Sequence, residues 1–86
     1  MKTCSVIVLN YNGRHLLERN LPAVIKAAAN ANCKVVLVDN GSQDDSVEFL
    51  RQNFPTVRVL ELPDNLGFGQ GNNAGVRFVK SDLVII

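Results

Sequence analysis

Four short runs, Ser5-Val6-Ile7-Val8-Leu9, Val35-Val36-Leu37-Val38, Val57-Arg58-Val59-Leu60 and Leu83-Val84-Ile85-Ile86, punctuate the chain, and three of them are apolar without alternation. A strand whose side chains are apolar in both directions must be buried on both faces. Between the runs, Leu16, Leu17, Leu21, Val24, Ile25 and Ala28 recur at helical spacing, as do Val47, Leu50 and Phe54, and then, less regularly, Ala74, Val76 and Val79. The order β-α-β-α-β-α-β predicts right-handed crossovers and a three-layer α/β/α arrangement on a mostly parallel sheet. Ligands of such sheets bind beyond the carboxyl ends of the strands.

An 86-residue chain makes one domain at most, with a modest buried fraction and little stability in reserve. Its 47% hydrophobic and 20% charged residues exclude intrinsic disorder. A net charge of +1 from nine basic and eight acidic residues leaves no basic stripe, which argues against a nucleic-acid partner. Any anion must therefore be bound locally. Met1-Lys2-Thr3 leads straight into the first apolar run, too short for a signal peptide, so a cytoplasmic location is expected.

Cys4 and Cys33 lack a CxxC or His-rich partner and read as buried free thiols, neither metal ligands nor a redox pair. Pro22 falls within the first helical segment, where the loss of its N–H predicts a break and a restart near Asn20 or Leu21. Ser42, Asp44 or Asp45 caps the second helix. The tandem acids Asp44-Asp45 resemble a metal pair, but their place just before Val47-Glu48-Phe49-Leu50 favours capping and dipole stabilisation. His15 has no Ser, Cys or acid placed to form a triad and reads as a surface residue.

Chemistry concentrates at three polar turns, each following an apolar strand. The longest, Asn65-Leu66-Gly67-Phe68-Gly69-Gln70-Gly71-Asn72-Asn73-Ala74-Gly75, places glycines and neutral amides between a strand and a helix, which lets a backbone approach an anionic, phosphorylated ligand. Its Gly69-x-Gly71-x-x-Ala74 spacing matches the loose dinucleotide fingerprint, but not after the first strand, so a nicotinamide cofactor is disfavoured. Asp39 ends the second strand before Asn40-Gly41-Ser42. It can either accept hydrogens from a base or ribose or bind the N–H groups of its own turn. The adjacent Asn10-Tyr11-Asn12-Gly13 favours the first, because a Tyr ring can flank a flat base; alone, this segment reads equally well as an Asn-Gly turn with a packed Tyr. Asn40-Gly41-Ser42 also satisfies the glycosylation sequon, a short match that carries little without a secretion signal.

Together, Ser5–Gly13, Val36-Leu37-Val38-Asp39-Asn40-Gly41-Ser42 and Asn65–Gly75 closely resemble the family 2 glycosyltransferases of GT-A fold, over essentially the whole chain. Asn-Leu-Gly-Phe followed by Gly-Asn-Asn resembles the rhamnosyltransferase-like bacterial branch, associated with polysaccharide biosynthesis. The resemblance implies the Rossmann-like half of that fold and a nucleobase pocket lined by Tyr11, Asn10 and the backbone of Leu9, with Asp39 hydrogen-bonding the base. It implies diphosphate contacts at Asn65, Gly67 and the backbone near Asn72, where many relatives carry an Arg. The implied donor is a UDP- or dTDP-sugar and the acceptor a glycan or a lipid-linked molecule, with missing regions able to bring the protein to the inner membrane face. A divalent metal, Mg or Mn, is implied for a full-length enzyme through an Asp-x-Asp motif after the fourth strand, and none for these residues alone. No catalytic residue is assigned.

A buried strand is an unusual terminus, so residues 1–86 read as the donor-binding part of a domain truncated after Ile86, inactive alone and inclined to self-associate. The alternative is a stand-alone nucleotide-binding or structural α/β module without transfer activity.

Overall fold

The computed structural model describes residues 3–79, 81 and 83–85. Strand β1 (Cys4–Asn10) leads through α1 (Arg14–Asn30) to β2 (Lys34–Asn40), and α2 (Ser46–Asn53) to β3 (Arg58–Leu62); α3 (Gly67–Phe78) then returns across the sheet to β4 (Leu83–Ile85). The four strands are parallel in the order β3-β2-β1-β4. The sheet therefore grows outward through β2 and β3 and reverses to the other side of β1, and such a reversal opens a crevice at the strand ends.

Each face of the sheet carries its own core. Leu17, Leu21 and Ala28 of α1, Leu50 of α2, and Val35 and Leu37 of β2 form one, with Val6 and Val8 packed against it. Ile7, Val36, Val38 and Val79 form the other, with Leu9, Leu60 and Val84 alongside. Leu37 and Val38 are both fully buried and point to opposite faces, which is why the β2 run shows no alternation.

Helix α3 sits unusually close to the strands because two of its glycines face them. A Cβ on Gly75 would lie 2.8 Å from Val38 Cγ2 and 3.0 Å from Ile7 Cγ2, and one on Gly71 would lie 2.8 Å from Leu9 Cδ1. The stretch expected as a loop from Asn65 to Gly75 is accordingly helical from Gly67 onward. Glycine's poor helix propensity is outweighed by the packing its missing side chain permits.

Two further expectations are corrected. Helix α1 runs on through Pro22 without a break. Leu17, Leu21 and Ala28 lie buried on either side of it, and their burial, roughly 1.5–3 kcal/mol for each leucine, offsets the roughly 3 kcal/mol cost of an interior proline. Cys4 and Cys33 are not free thiols but a disulfide, and both are only partly buried. The register accounts for it: Ser5 stands opposite Lys34, so the residues preceding each fall side by side, with 4.6 Å between Cα atoms. Strand β4 is covered on one face only. Val84 packs into the α3-side core, whereas Leu83 and Ile85 are 55% and 47% exposed on the other face. Ile86 lies outside the described residues.

Candidate functional site

Three turns gather at the carboxyl end of the sheet, and side chains at the strand ends hold them together. Asn10, at the end of β1, is buried and donates from Nδ2 to Asp39 Oδ1 at 3.0 Å and to Ser42 Oγ at 3.3 Å. Asp39 is 3% exposed; its Oδ2 accepts the Ser42 N–H at 2.9 Å and its Oδ1 accepts the Ser42 hydroxyl at 2.7 Å. Asp39 thus binds the N–H and hydroxyl of its own turn, and it also lines the crevice. A carboxylate offers about four lone-pair positions, of which these three donors use three.

A second tie runs between the first two turns. Asn12, at φ +50°, donates its N–H to Ser42 Oγ at 2.8 Å and accepts the Gln43 and Asp44 N–H groups on Oδ1 at 2.7 and 3.3 Å. Asp44 Oδ2 accepts the Arg14 N–H at 3.2 Å, while its Oδ1 accepts from the Ser46 N–H at 3.0 Å and from the Ser46 hydroxyl. Desolvation, the largest single influence, works against its charge, but the bonds from Ser46 and Arg14 together outweigh it, so the carboxyl titrates below its ordinary value. Asp44 is therefore the acid that organises the start of α2, although Asp45 occupies the cap position without a side-chain bond.

The third turn is held by Asn40. Its Oδ1 accepts the Leu66 N–H at 2.9 Å, and its Nδ2 donates to Asn65 Oδ1 at 3.1 Å and to the Gly67 carbonyl at 3.2 Å. Asn65 Oδ1 in turn accepts the Gly67 N–H at 2.8 Å. Gly41, at φ +79°, allows the closest approach: a Cβ there would lie 2.7 to 2.9 Å from the Asp64 and Asn65 backbone. Asn40 is 2% exposed, which closes the sequon to any glycan.

These ties frame a cavity of about 520 Å³ lined by Tyr11, Asp39, Ser42, Asp44, Glu61 and Asn65, among others. Tyr11 is 48% exposed and is one of its lining residues. No Lys, Arg or His among the described residues lines the cavity, and Asp39, Asp44, Glu61 and Asp64 make it acidic. Among the described residues, no group of three or more His, Cys, Asp or Glu is placed to hold a metal ion.

Of the residues singled out in the sequence, Tyr11, Asp39 and Asn65 share the cavity and Asn10 braces Asp39 beside it. Gly67 is joined to them through Asn40. Leu9 instead turns its side chain toward α3, against Gly71. Asn72 is buried on α3, and neither atom of its amide has a hydrogen-bond partner among the described residues. His15 is exposed, as expected. Sequence reasoning missed Asn40, Asn12 and Ser42 as the residues that fix the turns. A signal existed for Asn40: a polar residue closing a fully buried strand must find partners, and only neighbouring turns can supply them.

The profile of glycosyl transferase family 2 matches residues 5–86. The chain belongs to this family. Relatives of this family 2 chain include the undecaprenyl-phosphate 4-deoxy-4-formamido-L-arabinose transferase of Edwardsiella ictaluri, 37% identical over 94% of this chain and 27% of its own length. Another is the N-acetylglucosaminyl-diphospho-decaprenol L-rhamnosyltransferase of Mycobacterium tuberculosis, 37% identical over 79% of this chain and 22% of its own. The fold matches a mannosyltransferase of Pyrobaculum calidifontis, solved in complex with GDP-Man and Mn2+, with a TM-score of 0.79 at 24% identity over 96% of this chain and 26% of that one. The architecture is the Rossmann-like part of a GT-A fold. The chain spans about a quarter of the length of these relatives. No described helix is long and apolar enough to cross a membrane.

Proposed function

We propose that the native protein transfers a sugar from a nucleoside-diphosphate sugar to an acceptor hydroxyl, and that residues 1–86 are the donor-binding part of that enzyme. The observation that carries this reading is the convergence of Tyr11, Asp39 and Asn65 from three strand-end turns on one 520 Å³ cavity in a family 2 chain. Asp39 keeps one acceptor position for an N–H of the base, the Tyr11 ring flanks it, and Asn10 and the Leu9 backbone complete that side. We place the diphosphate beside Asn65, Gly67 and the backbone near Asn72, whose buried amide has no hydrogen-bond partner among the described residues. The N3–H of a uracil or thymine can meet that acceptor, as the N1–H of a guanine can, and of these we adopt a UDP- or dTDP-sugar as the donor.

The acidic lining would repel a diphosphate unless a cation accompanies it. We assign that role to a divalent Mg or Mn held by carboxylates outside this chain, where the catalytic base also belongs. The named relatives support a lipid-linked or glycan acceptor, and the mycobacterial one a rhamnosyltransferase-like branch serving polysaccharide assembly. We place the reaction in the cytoplasm, at the inner membrane face when the acceptor is lipid-linked. Cys4 and Cys33 would there exchange with the cellular thiol pool.

The test is a transfer assay on the native protein and on the 86-residue chain with UDP- and dTDP-sugars, paired with titration of the corresponding diphosphates. Transfer by the native protein alone, with nucleotide bound by both, is the expected result. Binding without transfer by the native protein would favour a nucleotide-binding module, and no binding by either would remove the reading.

A further inference from the structure

We infer that Asn40 is a positioning residue for the diphosphate half of the donor, acting through the turn that opens α3 and not through the base. The inference rests on the donor reading above and adds a division of labour within it. Asn10 and Asn40 are buried amides at the ends of neighbouring strands, yet they serve different turns. Asn10 reaches Asp39 and Ser42, on the base side. Asn40 reaches Asn65, Leu66 and Gly67, and none of its described bonds goes to the first turn.

The amide is chemically matched to that task. Two acceptors, Asn65 Oδ1 and the Gly67 carbonyl, converge on its Nδ2, and one donor, the Leu66 N–H, meets its Oδ1. An Asp at this position has nearly the same shape but offers only acceptors when ionised, so Asn65 Oδ1 and the Gly67 carbonyl would face an oxygen instead of an N–H. Gly67 sits at φ +83° and Asn65 Oδ1 already holds its N–H, so the turn moves as a unit when Asn40 lets go. Tyr11 and Asp39 are tied by a separate set of bonds through Asn10, Asn12 and Ser42, and stay in place.

The experiment titrates the native protein and its Asn40→Asp variant with uridine and with uridine diphosphate, and with the thymidine pair, in Mg2+. Losing directed hydrogen bonds at the diphosphate side is expected to weaken diphosphate binding by about tenfold while nucleoside affinity stays within about twofold. Asn40→Ser, which buries no charge, is measured alongside in case N40D fails to fold, and should show the same split. Equal loss for nucleoside and diphosphate, or loss of neither, overturns the inference while leaving the donor reading intact. Failure of both variants to fold makes Asn40 a structural residue and also overturns it. A wild-type protein that binds neither ligand removes the donor reading, and this inference with it.

Discussion

Asn10 stands opposite Asp39 in the β1–β2 register, and its amide donates to the Asp39 carboxylate at 3.0 Å. The acid is thus held from the neighbouring strand as well as from its own turn, with one acceptor position left over. Asp39→Ala should weaken uridine or thymidine diphosphate binding by roughly one to two decades, since a hydrogen bond to a charged group is worth about 1.5–3 kcal/mol. Chemical-shift titration measures it, and unchanged affinity would remove Asp39 from the site.

The network around Asp44 predicts an acid-sensitive turn. Desolvation works against the charge of its carboxyl, but the bonds from Ser46 and Arg14 together outweigh it and lower the carboxyl from the ordinary 3.8. The folded state therefore binds this proton less readily than the unfolded one, and the stabilisation is complete above the unfolded value and lost as pH falls through the lower folded one. Denaturant melts of wild type and Asp44→Asn should differ at neutral pH and converge toward pH 2. A gap that persists undiminished in acid would rule out charge as its source.

Reduction of Cys4–Cys33 should destabilise the chain without touching ligand affinity. The bridge joins residues 29 apart in sequence, a loop for which chain entropy predicts roughly 3–4 kcal/mol. It lies at the start of β1 and just before β2, at the pole of the sheet away from the cavity. Melts with and without reductant, against a Cys4→Ser control, test the first part, and nucleotide titration under reducing conditions tests the second.

Much of this was legible in the chain, for identifiable reasons. Apolar runs such as Val35–Val38 mark strands buried on both faces, and their polar ends, Asp39 and Tyr11, fall on the cavity because parallel strands all deliver their carboxyl ends to one edge. What escaped notice depends on neighbours remote in sequence. The disulfide needs the β1–β2 register, the continuity of α1 through Pro22 needs the core beneath it, and the partners of Asn40 lie 25 to 27 residues further on. The glycine-rich stretch was misplaced as a loop because its compensation, the close approach to Ile7, Leu9 and Val38, is invisible locally.

That approach is itself testable. Gly75→Ala would drive a methyl against Val38 and Ile7, both stiff β-branched residues in the sheet, and should cost about 1–3 kcal/mol of overpacking in denaturant melts. A neutral result would mean that α3 can lift away freely.

The open face of β4 predicts concentration-dependent association of the isolated 86-residue chain, since Leu83 and Ile85 expose large apolar side chains beside a strand edge that is unpaired among the described residues. Sedimentation equilibrium should report dimers or larger species, reduced by Leu83→Lys. A strictly monomeric chain at all concentrations would show that this face tolerates water.

Gly71 sets the distance at which α3 rides over Leu9 and Asn40. The start of α3 is carried by the same rigid rod, so a side chain gained at position 71 would raise the floor of one half of the crevice and leave the other half untouched. On the proposed donor reading, such a change would reshape the crevice for donors of a different size without altering Tyr11, Asp39 or Asn65: the gauge lies in the packing of a helix, one turn in from its start.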